Sequence, residues 1–162
     1  MILRSKYFPD LEVDERSLVY FPDGLLGFEG LRQYAAAELA EFRPFLWLVA
    51  TDAPDLGFAV SDPALFYGSG YSLNLSDADK ETLDLQTGDE LMVFVIVSLG
   101  EGGRRITANL KGPVVLNRRN RMAKQVVIYN PAYSVHHPLL SVTEGGRPEP
   151  RVVEAGRLSA RG

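Results

Sequence analysis

The stretch Leu91 to Ile128, LMVFVIVSLGEGGRRITANLKGPVVLNRRNRMAKQVVI, constrains the fold more than any other part of the chain. Runs of Val, Ile and Phe, which fit a pleated, half-buried surface, are cut there by Gly, Asn and Pro. Gly100, Gly102 and Gly103 can supply the positive φ angles of a hairpin turn. The stretch reads as consecutive β-strands joined by tight turns. It carries almost no side chains suited to catalysis, so it predicts a surface scaffold rather than an active site.

The flanking sequence repeats the pattern. Ile2 to Phe8 predicts a first strand stopped by Pro9-Asp10, and Leu11 and Val13 alternate in a short second piece. Ser17 to Phe21 is an apolar run broken by Pro22-Asp23-Gly24, and Phe28 to Gln33 predicts one helical turn. Tyr34 to Ala40 stays open between helix, which its alanines favour, and strand, which the surrounding alternation permits. Phe45 to Ala50 and Leu56 to Ser61 bracket the turn cluster Asp52-Ala53-Pro54-Asp55; Asp62 is placed to cap a turn from Pro63 to Phe66, and Tyr71 to Leu75 alternates as a strand. Ser76-Asp77-Ala78-Asp79 offers an N-cap hydroxyl and first-turn acids, predicting a short helix to about Leu83. Many short strands without crossover helices give the expected fold class: mainly β, an antiparallel β-barrel-like sheet with a few short helices. Residues 1–140 are expected to form this domain and residues 141–162 a polar tail.

A chain of 162 residues, 46% hydrophobic, can bury a core without disulfides or metal. Its apolar runs are too short to span a bilayer, and MILRSKYFPD lacks the charged-then-apolar pattern of a secretion signal, so a cytoplasmic protein without a membrane partner is expected. The absence of Cys removes thiol chemistry. The net charge of −4 is unevenly distributed. Asp77, Asp79, Glu81, Asp84, Asp89 and Glu90 face one base, Lys80, in their segment, whereas Arg104, Arg105, Lys111, Arg118, Arg119, Arg121 and Lys124 follow with no acid among them.

Paired carboxylates could serve acid–base chemistry, but acids at the start of an exposed helix more often form a solvated face, or a patch for a basic partner. The only histidines, His136 and His137, are neighbours that point to opposite faces of an extended segment and cannot jointly hold one metal. Gly100-Glu101-Gly102-Gly103 lacks dinucleotide-loop spacing, and Gly68-Ser69-Gly70 is not a nucleophile elbow. No catalysis, cofactor or metal is expected. Residues 104–124 suggest an alternative, a small β-barrel RNA-binding protein or enzyme, although the aromatics that stack single-stranded bases are missing there. Asn109 interrupts an apolar strand and reads as a loop tie before a partner contact. Leu25, Leu26 and Phe28 sit on a glycine-flanked loop and are expected to form an exposed apolar anchor.

Several short words stand in a recognisable order: Phe21-Pro22-Asp23-Gly24-Leu25-Leu26-Gly27-Phe28-Glu29, Phe45-Leu46-Trp47-Leu48, Val60-Ser61-Asp62-Pro63, Thr107-Ala108-Asn109-Leu110 with Pro113-Val114 and Asn117, Lys124-Gln125-Val126-Val127, and Tyr133-Ser134-Val135-His136-His137-Pro138-Leu139. Together, over about residues 2 to 140, they resemble the FliW family of flagellar assembly factors. The chain departs from that pattern at Leu26, where the family usually has Pro, and at His136, where it often has Arg. The resemblance implies a cytoplasmic barrel-like protein, monomeric when free, that binds flagellin and CsrA, a basic RNA-binding dimer repressing flagellin translation, without itself binding nucleic acid. Under it, Leu25, Leu26, Phe28, Asp77, Asp79, Glu81, Asp84 and Asn109 are the expected partner-binding residues.

Overall fold

Among residues 1–98 and 105–141, which the computed structural model describes, the chain forms eleven strands and two short α-helices. The expected turn at Gly100, Gly102 and Gly103, and the expected tail beyond Ser141, lie outside these residues. In chain order the elements are β1 (Ile2–Leu3), β2 (Leu11–Glu12), β3 (Leu18–Tyr20), β4 (Gln33–Glu38), β5 (Leu46–Ala50), β6 (Gly57–Ser61), α1 (Ala64–Tyr67), α2 (Asp77–Thr82), β7 (Leu91–Ser98), β8 (Arg105–Ala108), β9 (Val114–Asn117), β10 (Ala123–Gln125) and β11 (His137–Ser141).

All of these strands except β1 and β2 form one nine-stranded antiparallel sheet, ordered β10-β9-β7-β6-β5-β4-β3, with β8 branching from β7 and carrying β11. β7 is long enough to pair with β9 through Leu91 to Phe94 and with β8 through Val97 and Ser98, so its partner strand splits in two. The sheet rolls until its end strands meet, but among the described residues their backbones pair only at one parallel bridge, Tyr20 with Met122, where Tyr20 N–H donates to Arg121 O at 3.0 Å and Arg121 Nε donates to Leu18 O at 3.1 Å. It is barrel-like without being closed by a ladder.

Rolling gives the sheet two buried faces, which is why β5 and β7 read as continuous apolar runs. The inner face holds Val19, Phe21, Leu25, Tyr34, Leu48, Val60, Phe94, Val114, Leu116 and Ala123. The outer face is covered in two places. Trp47, Val49 and Val95 lie under the β1–β2 hairpin and the aromatic segment after β6, where Leu3, Val13 and Tyr133 contribute. Val93, Val115 and Val126 lie under α2, through Leu75 and Leu83.

The departures from the sequence-based elements have physical causes. The predicted strand Ile2–Phe8 ends at Leu3, because the Ser5 hydroxyl accepts from the amides of Tyr7 and Phe8 and turns the chain. Phe8 then lies edge-on to Trp47 and over Gly57, where a Cβ would stand 2.7 Å from the Phe8 ring. The alanines of β4 form strand because ladders on both sides, to β3 and β5, outweigh a propensity of a few tenths of a kcal/mol per residue. The predicted helical turn Phe28–Gln33 is a loop leading into β4, closed by a bridge between Leu25 and Phe28. Tyr71–Leu75 is irregular rather than a strand: the Tyr71 hydroxyl donates to Leu110 O, and Ser72 N–H donates to the Tyr133 hydroxyl. The Asp62 cap forms, its carboxylate accepting from Ala64 N–H, and so does α2, with a capping box between Ser76 and Asp79.

Fully buried Asn117 fastens α2 and the segment after it to the sheet. Its amide nitrogen donates to Leu83 O and to the Asp89 carboxylate, both at 3.0 Å, and its oxygen accepts from Arg119 N–H at 3.2 Å. Asn117→Ala leaves several polar groups unpaired and is expected to cost about 2 kcal/mol or more, read as a lowered urea midpoint with little change in slope.

Candidate partner-binding site

β10 and the loop Gly24 to Phe28 meet at the seam of the rolled sheet, and glycine permits the loop. Gly24 has φ +68° and a Cβ there would stand 2.6 Å from Glu29 Cα, so the chain can turn this tightly only without a side chain. The Glu29 carboxylate accepts from Gly27 N–H at 3.0 Å, and Gln125 Oε1 accepts from Leu26 N–H at 3.0 Å. Gln125 Nε2 in turn donates to Gly112 O at 3.1 Å. One strand side chain thus ties the loop to the turn before β9.

This fixes the fate of the three apolar loop residues. Leu25 is 1% exposed and belongs to the inner core, which corrects its expected place in an exposed anchor: with Leu26 held outward, the neighbouring side chain plugs the seam beside Phe21 and Ala123. Leu26 is 63% and Phe28 38% exposed. Phe28 rests edge-on against Phe58, which packs on Tyr34, so it is anchored to the core while presenting one side to solvent.

The acids divide in the same way. Lys124 Nζ lies 2.9 Å from Asp79 and 3.9 Å from Asp23, joining α2 to the loop. The Asp79 side chain is 13% exposed and also accepts from Ser76 N–H, so it is a structural cap rather than a free surface charge. Asp84 meets Arg119 at 3.5 Å; Asp89 meets Arg119 at 2.9 Å; Glu90 meets Arg118 at 2.9 Å. The charge segregation along the chain is therefore partly cancelled in space, because the β9–β10 hairpin carries Arg118, Arg119 and Lys124 against α2 and the segment that follows. Asp77 and Glu81 are exposed and make no ion pair among the described residues.

Asn109 follows β8. Its N–H donates to Ile96 O, and its side-chain oxygen accepts from Lys111 N–H, which makes it the expected loop tie. A Cβ on Gly112 would stand 3.0 Å from its Nδ2 and 2.8 Å from Gln125 Nε2, so Asn109 belongs to the same junction as the loop. Leu26, Asp79 and Asn109 thus gather around β10, and Phe28 stands on the same loop, against Phe58. Sequence reasoning about the site passed over Lys124 and Gln125, the two residues that join them. Their signal was two adjacent polar residues in an otherwise apolar strand, on opposite faces by period two.

Comparison with known proteins agrees with this architecture. A family model described as FliW protein matches residues 2–139. The chain belongs to the FliW family. The flagellar assembly factor FliW of Bacillus pumilus is 34% identical over 139 residues, covering 86% of this chain and 96% of that protein. That of Bacillus subtilis is 32% identical over the same length. A crystal structure of the flagellar assembly factor FliW superposes with a TM-score of 0.77 at 30% identity, covering 86% of this chain and 97% of that one. Among the described residues no group of His, Cys, Asp and Glu could hold a metal ion, and no helix is long and apolar enough to cross a membrane.

Substitution at the loop separates its two leucines. Leu25→Ala is expected to cost about 2 to 5 kcal/mol of stability, whereas Leu26→Ala stays within about 0.5 kcal/mol; chemical denaturation of both variants checks this.

The ion pairs carry a pH signature. Burial works to raise the Asp79 carboxyl, but hydrogen bonds from Lys124 and Ser76 and the Lys124 charge outweigh it and hold it below the usual range. The Gln86 amide, followed by Arg119 and Asn117 against a desolvation penalty, holds Asp89 low as well. A depressed carboxylate stabilises the fold fully above its unfolded pKa of about 3.9, and that stability is lost as pH falls through the folded value. Stability is expected to be roughly level from pH 7 to pH 5 and to fall below about pH 4, with a shallower fall in Asp89→Asn. Urea midpoints across that range test it; equal slopes in both proteins would contradict the role given to Asp89.

Proposed function

We propose that this protein is a flagellar assembly factor that works by binding other proteins: it binds flagellin, and it binds CsrA, relieving repression of flagellin translation when flagellin is scarce. The observation that carries the reading is the match over nearly the whole length of relatives named flagellar assembly factor FliW. The site supports it through Leu26 and Phe28, apolar side chains held outward on a stiff loop, and through the exposed carboxylates Asp77 and Glu81 on α2. Such an arrangement suits a partner with an apolar contact flanked by basic residues, and the acids would also repel RNA phosphate. Direct RNA binding by residues 104–124 is disfavoured, because Arg118, Arg119 and Lys124 are engaged with carboxylates.

Mixing the purified protein with flagellin and with CsrA from the same organism tests the reading. A stable complex with each is expected on size-exclusion chromatography, as is release of flagellin leader RNA from CsrA. Failure to bind either protein, or salt-sensitive RNA binding by this protein alone, would overturn it. Asp77→Lys with Glu81→Lys is expected to slow association with CsrA by roughly tenfold at low salt, to flatten the salt dependence, and to leave the melting temperature nearly unchanged.

A further inference from the structure

The hydrogen bonding of β10 to its neighbour continues past the strand's last residue, Gln125. Val126 N–H donates to Pro113 O and Ile128 N–H to Lys111 O, both at 2.8 Å, so the chain continues along the segment preceding β9. Backbone groups of alternate residues in a strand point to the same edge, so Gln125, Val127 and Tyr129 direct theirs the other way. That outward edge is the one on which Arg121 O accepts from Tyr20 N–H. Beyond this bond β3 has ended, and the loop reaches the edge through the Gln125 side chain instead. No backbone group among the described residues pairs with the outward groups of Val127 or Tyr129.

The edge lacks the usual protection. Gln125-Val126-Val127-Ile128-Tyr129 holds no charge and no proline and consists largely of strong strand formers, the composition natural proteins avoid on a bare edge. Its two faces also differ. On one, Val127 is 46% and Tyr129 89% exposed, and Gln125 brings Leu26 alongside. On the other stands Lys124, one ammonium serving two carboxylates, Asp79 and Asp23, with exposed Asp77 also on α2; Lys111 lies across Ile128 on the far side, away from the open edge.

We infer that the edge Gln125–Tyr129 accepts an added β-strand from a partner whose residues alternate between apolar and basic. Apolar side chains of that strand fall on the face of Val127, Tyr129 and Leu26, and basic ones on the face of the exposed carboxylates Asp23 and Asp77. The inference rests on the partner-binding reading and adds to it the backbone mode and the chemistry of the segment recognised. A span from Gln125 to Tyr129 is about 13 Å, so an extended segment of about five residues covers it.

The test uses the full chain and capped synthetic peptides of one composition: alternating Val and Lys, the same residues in two blocks, and the alternating peptide N-methylated at every second residue. An alternating Val and Glu peptide is the charge control. The alternating Val and Lys peptide is expected to bind in a fluorescence titration and to shift the amide resonances of Val127 and Tyr129. Val127→Pro removes an outward N–H that the internal ladder does not use, and should weaken binding by roughly tenfold or more, as should N-methylation, which leaves the protein untouched. Binding unchanged by both modifications, equal binding of the blocked or Glu-containing peptide, or no peptide binding would overturn the inference. Whether intact flagellin and CsrA bind the wild-type protein is scored separately. If neither binds, the functional reading fails while the peptides still decide the edge.

Discussion

A rolled sheet brings its two last strands together, and the backbone groups at that seam must find partners from whatever lies there. Here β3 supplies three residues and one bridge, so the rest of the seam is held by the side chains of Arg121 and of β10 and by the loop that follows β3. Most of what distinguishes the surface follows. Leu25 is drawn inward as a plug, Leu26 is left outward, and Lys124 on the opposite face draws α2 and Asp23 toward the same strand. The apolar loop and the acidic helix, distant in sequence, become neighbours because both are fastened to β10.

Electrostatics reinforces this arrangement without dominating stability. Most of the ion pairs between the β9–β10 hairpin and the segment around α2 involve partly exposed side chains, and such pairs are individually weak. The buried Asn117 and the shielded Asp89 and Asp79 matter more, since each closes hydrogen bonds that would otherwise be left open inside the structure. Cancelling the basic segment against the acidic one also leaves Asp77 and Glu81 as the acids of α2 accessible to a partner, a narrower patch than the linear sequence suggests.

Much of the fold was legible because its signals are local. The Val-, Ile- and Phe-rich run Leu91–Ser98, the Ser76 cap, the Asp62 turn and Gly24 each act through neighbours in the chain, and each appears where residue chemistry puts it. What was hidden depends on distant pairing. The alanines of β4 became strand only through β3 and β5, and Tyr71–Leu75 lost its strand to hydrogen bonds from Tyr71 to Leu110 and from Ser72 to Tyr133. For the site, the loop and the acids were readable as residue types, but not that Leu25 would turn inward or that Asp79 would be claimed by Lys124. Both outcomes are set by β10, which lies about a hundred residues from the loop, too far for any periodicity to report.

Amide hydrogen exchange on a Lys124→Ala, Gln125→Ala variant tests most directly whether β10 is the joint that organises this surface. If it is, protection should fall selectively at Leu26 and across Asp77–Thr82, while amides of β4, β5 and β6 keep wild-type rates. Unchanged protection at both the loop and α2, or a uniform loss across the whole sheet, would contradict the account.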